Sequence, residues 1–109
     1  MSGITTHVLD AVLGKPASGI AIQLDILTPN GWSDLAHGST DQDGRCRDLC
    51  LECQSGTYRL TFASAEYFHR NNRSSIYQEV AISFLVDGAS QYHIPLLLSD
   101  NSYTTYRGS

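Results

Sequence analysis

Three stretches of this chain repeat with a period of two, and that pattern limits the possible folds more than anything else in the sequence. Ile20, Ile22, Leu24 and Ile26 alternate with Ala21, Gln23, Asp25 and Leu27. Tyr58, Leu60 and Phe62 alternate with Arg59, Thr61 and Ala63, and Val80, Ile82 and Phe84 with Ala81, Ser83 and Leu85. Successive side chains of an extended strand point to opposite faces, so each stretch turns one apolar face to a core. Turn chemistry separates the runs at Thr28-Pro29-Asn30-Gly31, Asp41-Gln42-Asp43-Gly44, Gln54-Ser55-Gly56 and Asp87-Gly88. Later, Tyr92 to Leu98 leads through a turn at Ser99 to Ser102 into Tyr103-Thr104-Thr105-Tyr106, rich in β-formers. One stretch reads as helix, with Ser64 as the cap of Ala65 to Arg70 and Asn71-Asn72 as its stop. The alternation is least clear from Arg45 to Glu52, where polar residues and cysteines interrupt it. About eight short strands with one short helix predict an all-β sandwich of two sheets.

Its 109 residues suffice for one core and not two, so the expectation is a single domain over residues 1–109. An apolar content of 41% with 17% charged residues fits a folded chain and not a disordered one. The net charge is −4, Lys15 is the one lysine, and the six arginines are scattered, which argues against a nucleic-acid partner. No apolar run approaches the ~20 residues of a membrane-spanning helix. The start, Met1 to His7, has neither the basic nor the apolar part of a secretory signal. Three cysteines with no export signal predict reduced thiols in a cytoplasmic protein.

Two motifs imitate binding sites. Cys46, Cys50 and Cys53 have the spacing of a cluster or zinc site, with His37 as a conceivable fourth ligand. Strict alternation would send Cys50 and Cys53 to opposite faces of a strand, so small buried or half-exposed thiols are expected. Asp41-Gln42-Asp43-Gly44 imitates a calcium loop, but in that frame Ser39 and Cys50 occupy the first and twelfth ligand positions. The twelfth requires a bidentate glutamate, so this segment is expected to be a hairpin turn. No metal is expected.

A dispersed set is more promising. His7 lies on or near the end of a first strand, Arg45 directly follows a turn glycine, and His93 sits in the penultimate strand. If Ile94, Leu96 and Leu98 face the core, His93 shares the outer face with Pro95 and Leu97. A strand apolar on both faces is covered on both, so a second subunit is expected there. The tail Tyr106-Arg107-Gly108-Ser109 follows the last strand, with the Ser109 hydroxyl expected beside the terminal carboxylate. Termini are ordinarily frayed, and polar residues tied to a strand end are candidates for a site.

Four segments together resemble the 5-hydroxyisourate hydrolases, the transthyretin-like enzymes of purine catabolism. They are Thr6-His7-Val8-Leu9-Asp10 followed by Gly14 to Gly19; Thr40-Asp41-Gln42-Asp43-Gly44-Arg45; Tyr92-His93-Ile94-Pro95-Leu96-Leu97-Leu98-Ser99; and Ser102-Tyr103-Thr104-Thr105-Tyr106-Arg107-Gly108-Ser109. They run in order along the whole chain. The resemblance implies a sandwich of two four-stranded antiparallel sheets with a short helix. It also implies a homotetramer, a dimer of dimers whose outer sheet faces form a channel. The implied activity is hydrolysis of 5-hydroxyisourate to 2-oxo-4-hydroxy-4-carboxy-5-ureidoimidazoline in urate degradation, without metal or organic cofactor. By the same resemblance His7 and His93 are the candidate acid–base pair, Arg45 binds the substrate, and Ser109 orients water or substrate. Tyr106 and Arg107 would shape the pocket. Transthyretin, a hormone carrier of the same fold, is the competing reading, and its kind lacks both the closing Tyr-Arg-Gly-Ser and the histidine–arginine set. This chain departs from the family at Ile76-Tyr77-Gln78, where aromatic–aromatic–proline is usual, and in its cysteine-rich Cys46 to Cys53 segment.

Overall fold

The computed structural model describes residues 2–109. Along the chain the elements are β1 (Ser2–Asp10), β2 (Lys15–Pro16), β3 (Ala21–Thr28), β4 (Gly31–Ser39), β5 (Arg45–Cys53), β6 (Gly56–Phe62), α1 (Ser64–Arg70), β7 (Val80–Val86), β8 (Gln91–Ser99) and β9 (Ser102–Thr105). They form the expected two-sheet sandwich. One sheet has the order β4-β3-β6-β7 and is antiparallel throughout. In the other, β1 lies between β8 on one edge and β5 and β2 on the other, and β9 follows β8.

This second sheet is richer than a four-stranded antiparallel one. The two-residue β2 makes it five-stranded, and β1 runs parallel to β8 from Gly3 opposite Gln91 to Asp10 opposite Leu98. The whole other sheet intervenes in sequence between these two strands, which gives the chain length to come back in the same direction.

Even-numbered residues of β1 and β8 turn inward. Ile4, Val8, Leu96 and Leu98 meet Leu24, Leu60, Phe62 and Val80 of the facing sheet in one buried core. The alternation that makes them core residues fixes the outer set as well: Thr5, His7 and His93 point the other way and are half-buried.

The helix forms where expected but is capped differently. Ser64 is its first helical residue and Ala63 holds the cap position, with no side-chain bond to the helix start. Ser64 is buried, and its hydroxyl has no hydrogen-bond partner among the described residues, so it fills space under the helix instead of capping it. At the other end Asn71 donates from its side chain to the Tyr67 carbonyl and Asn72 takes φ 58°, a left-handed stop.

The most buried polar group anchors the sandwich near that helix. Asp10 is fully buried at the end of β1 and accepts hydrogen bonds from the Val12 and Leu13 N–H groups, the Tyr67 hydroxyl and the Arg73 guanidinium. Burial alone would raise its pKa, but the bonds from Arg73, Leu13 and Tyr67 hold the carboxyl below its ordinary value. The Tyr67 hydroxyl is pushed up to about 12, first by burial and then by its bond to Asp10.

Candidate functional site

The turn before β5 builds one side of the site. The Asp41 carboxylate accepts the backbone N–H groups of Asp43 at 2.8 Å and Arg45 at 3.0 Å, and those bonds hold it below the usual carboxylate range. Gly44 sits at φ 76°, its carbonyl accepting the Val8 N–H at 2.7 Å. A Cβ at Gly44 would lie 2.3 Å from the Val8 carbonyl, so only glycine lets the turn close on β1. This segment is not a hairpin turn, because β4 belongs to one sheet and β5 to the other. It is a crossing between sheets, held by the Asp41 carboxylate bonding its own backbone.

That closure sets Arg45 opposite His7 in the β1–β5 register. It also brings the Asp43 carbonyl within 2.9 Å of His7, whose Nε2–H donates to it. On the other edge of β1, Thr5 pairs with His93. His93 therefore lies one two-residue repeat from His7, roughly 7 Å along the strand direction. Burial lowers the pKa of His93, and the charge of Arg45 lowers it further, so His93 holds to the neutral form at neutral pH. No described side chain bonds the Arg45 guanidinium, which leaves its planar fork on the open face.

The tail completes the arrangement. Leu96 opposite Thr105 and His93 opposite Gly108 keep one register, so the last residues extend the β9 pairing beyond its regular end at Thr105. The interruption has a cause: Tyr106 falls opposite Pro95, which has no N–H to donate. The ladder resumes where the Gly108 N–H donates to the His93 carbonyl at 2.8 Å. A Cβ at Gly108 would lie 2.5 Å from Cδ2 of His93 and 3.2 Å from the Pro95 ring. The tail thus extends the sheet alongside β8, and Gly108 packs against the outer side of His93 and of buried Pro95. At this point of the strand no second subunit is needed to explain the apolar outer position.

The expected site residues separate into two groups. His7, Arg45 and His93 share the outer face, with Ser109 exposed one residue beyond Gly108 and Tyr106 exposed on the tail. Arg107 points elsewhere: its guanidinium lies 4.8 Å over the ring of Tyr92, a residue of the opposite face. There it lines a shallow apolar pocket of about 210 Å³ with Ile82, Phe84, Ile94 and Tyr106. Sequence reasoning missed Thr5, Gln91 and the Asp43 carbonyl, all of which bond the two histidines or each other. The period-two pattern that exposes His7 exposes Thr5 as well, and that was the available signal.

The cysteines depart from the expectation of reduced thiols. Cys50 and Cys53 are joined in a disulfide with Cα atoms 5.9 Å apart. Two irregularities in the β1–β5 pairing place Cys50 opposite Ile4 and Cys53 opposite Ser2, two residues apart on the partner strand. The irregularity between those two pairs cancels the alternation that would have parted the two side chains. Cys46 is free and buried, its thiol pKa raised first by burial and then by Asp48. His37 pairs with Asp34 at 2.7 Å on the other sheet.

The fold and the site define a class: a two-sheet sandwich that carries a histidine–arginine cluster on one outer face, bordered at His93 by the last residues. The chain belongs to the HIUase/Transthyretin family, whose model matches residues 4–108. It is 39% identical to the 5-hydroxyisourate hydrolase of Salmonella typhimurium over 109 residues, covering 97% of this chain and 80% of the relative. It is 42% identical to that of Mus musculus over 113 residues, covering 99% and 96%. Among solved structures, Klebsiella pneumoniae 5-hydroxyisourate hydrolase is similar over the whole of both chains, with TM-score 0.91 and 32% identity. Sea bream transthyretin in complex with thyroxine is similar over 96% of this chain and 93% of that one, with TM-score 0.92 and 31% identity.

Proposed function

We propose that this chain hydrolyses 5-hydroxyisourate to 2-oxo-4-hydroxy-4-carboxy-5-ureidoimidazoline in urate degradation, by histidine-assisted attack of water on a cyclic amide. The observation that carries the reading is the convergence of His7, Arg45 and His93 on one sheet face, with the tail alongside His93. Opening a cyclic acyl–nitrogen bond calls for an activated water, a charge sink for the oxyanion and a proton for the leaving nitrogen. Two imidazoles handle protons and hydrogen bonds near neutral pH. The Arg45 fork suits an oxygen-rich, partly anionic ring, Ser109 orients water or substrate, and Tyr106 flanks them. Arg107, stacked on Tyr92, secures the tail from the other face. The reading requires neither metal nor organic cofactor.

The enzyme acts as a homotetramer in the cytoplasm. The site lies on an open sheet face and not in a cleft, so a second copy laid over that face supplies the missing wall and excludes water. Each pocket then draws on more than one subunit.

A carrier reading has one observation in its favour: the sandwich is as similar in shape to sea bream transthyretin as to a hydrolase. Fold alone therefore does not decide between them. Urate oxidase generating 5-hydroxyisourate in place, with its decay followed by absorbance, separates the two. Decay accelerated by the folded chain supports the hydrolase. Background decay, together with saturable thyroxine binding, would replace it with the carrier.

A further inference from the structure

Both site histidines have one ring nitrogen committed, and the committed ends are opposite. The partner of Nε2 of His7 is the Asp43 carbonyl, a group that only accepts, so Nε2 carries the proton. No described residue bonds the other nitrogen, Nδ1, whose lone pair is open. On His93 the committed nitrogen is Nδ1, 2.8 Å from the Thr5 hydroxyl. That hydroxyl already accepts from the Gln91 amide at 3.4 Å, and among the described residues His93 Nδ1 is the one acceptor for its own proton. A chain of donors from Gln91 through Thr5 to Nδ1 uses the hydroxyl once as acceptor and once as donor, and it puts the proton of neutral His93 on Nε2. The Cδ2 edge beside Nε2 packs against Gly108, so this N–H end borders the tail and Ser109.

We infer that Thr5 is a positioning residue whose hydroxyl locks His93 as a neutral Nε2–H hydrogen-bond donor, leaving His7 Nδ1 as the general base. The inference rests on the hydrolase reading and divides its chemistry between the two rings. Water loses a proton to Nδ1 of His7 as its oxygen bonds the acyl carbon, and the carbonyl π pair moves onto the carbonyl oxygen. Nε2–H of His93 and the Arg45 guanidinium hold that oxyanion, in the way a neutral imidazole polarises a carbonyl elsewhere. The pair then reforms the C=O bond, the C–N bond breaks, and its electrons go to nitrogen. Nitrogen takes the proton from His7 Nδ1, which restores the neutral ring. Throughout the cycle His7 Nε2–H keeps its bond to the Asp43 carbonyl, because both protonation states of the ring provide that donor. The open charges nearest His93, Arg45 and a transiently protonated His7, both oppose its protonation. His93 thus serves better as a donor of fixed form than as a proton carrier.

The test has a spectroscopic and a kinetic arm, both on the full-length chain. Imidazole ¹⁵N spectra of the wild type should show His93 with a protonated Nε2 and an unprotonated, hydrogen-bonded Nδ1. Thr5→Val should give a mixture of tautomers, with kcat for 5-hydroxyisourate about 10-fold lower and KM nearly unchanged. Thr5→Ser should restore both readouts, which separates a lost hydroxyl from a disturbed strand. A glutamine amide can replace an N–H donor but not a base. His93→Gln should therefore outperform His93→Ala by about 10-fold or more, while His7→Gln should be no better than His7→Ala. A wild-type His93 protonated on Nδ1 would overturn the inference. So would a His93→Gln variant as inactive as His93→Ala. If the wild type fails to accelerate decay, the hydrolase reading falls instead, and the spectra still decide the tautomer.

Discussion

The side chains that matter here are defined by which end of each is already occupied. His7 and His93 are the same residue type on the same sheet face, yet a backbone carbonyl takes one end of the first and a threonine hydroxyl the opposite end of the second. The depressed pKa of His93 has a measurable consequence. Its folded value lies below that of the unfolded chain, ~6.5, so between the two the unfolded state binds more protons. The contribution to stability is complete above the unfolded value and is lost as pH falls through the folded one. A titration by ¹H–¹⁵N spectroscopy should find the midpoint of His93 below the ordinary histidine value of ~6.5. Gly108 is the second residue-scale test. Its missing side chain is what lets the tail touch the His93 ring. Gly108→Ala should lower kcat by about 100-fold, the cost of misplacing reacting groups by an ångström, with little change in melting temperature. Unchanged turnover would remove the tail from the site.

At the scale of elements, β3, β6 and β7 were plain in the sequence because their apolar residues alternate, whereas β4, exposed or half-buried along its length, shows no such pattern. The strand β5 was not, because alternation is a local rule and its two register irregularities are set by the partner β1. For the same reason the sequence misled on Cys50 and Cys53. Nothing local in Asp41 to Gly44 distinguishes a hairpin from a crossing between sheets, since the backbone of a tight turn is the same in both. His7, Arg45 and His93 were legible as candidates through the family resemblance, whereas the bonds of Thr5 and Gln91 depend on a parallel pairing between distant segments. The link from loop to sheet at Arg73 is a further such long-range feature. This arginine joins buried Asp10 to Asp100, with its own pKa raised by both carboxylates. Arg73→Ala should destabilise the fold by about 3–5 kcal/mol, because it strands a buried charge. With its main partner gone, the Asp10 carboxyl should protonate at higher pH. The depressed wild-type value lends stability above the unfolded pKa of ~3.9 and loses it below. Acid unfolding of the variant should therefore begin at higher pH, as circular dichroism would show.

For the whole molecule, the sandwich supplies one rigid outer face, and the proposed chemistry uses that face from three sides. β1 contributes His7, the crossing turn contributes Arg45, and β8 with the tail contributes His93 and Ser109. In the proposed tetramer, closure of that open face would belong to the assembly. Dilution or mild dissociation to a folded monomer, verified by light scattering, should abolish turnover of 5-hydroxyisourate, and a fully active monomer would confine the site to one chain. The most direct test of catalysis on this face is the rate of 5-hydroxyisourate decay with wild type, His7→Ala and His93→Ala side by side. Decay should be fast with the wild type. Either folded variant should lose about 100-fold or more of that rate. Fast decay with both variants would show that the histidine–arginine face is not where the reaction takes place.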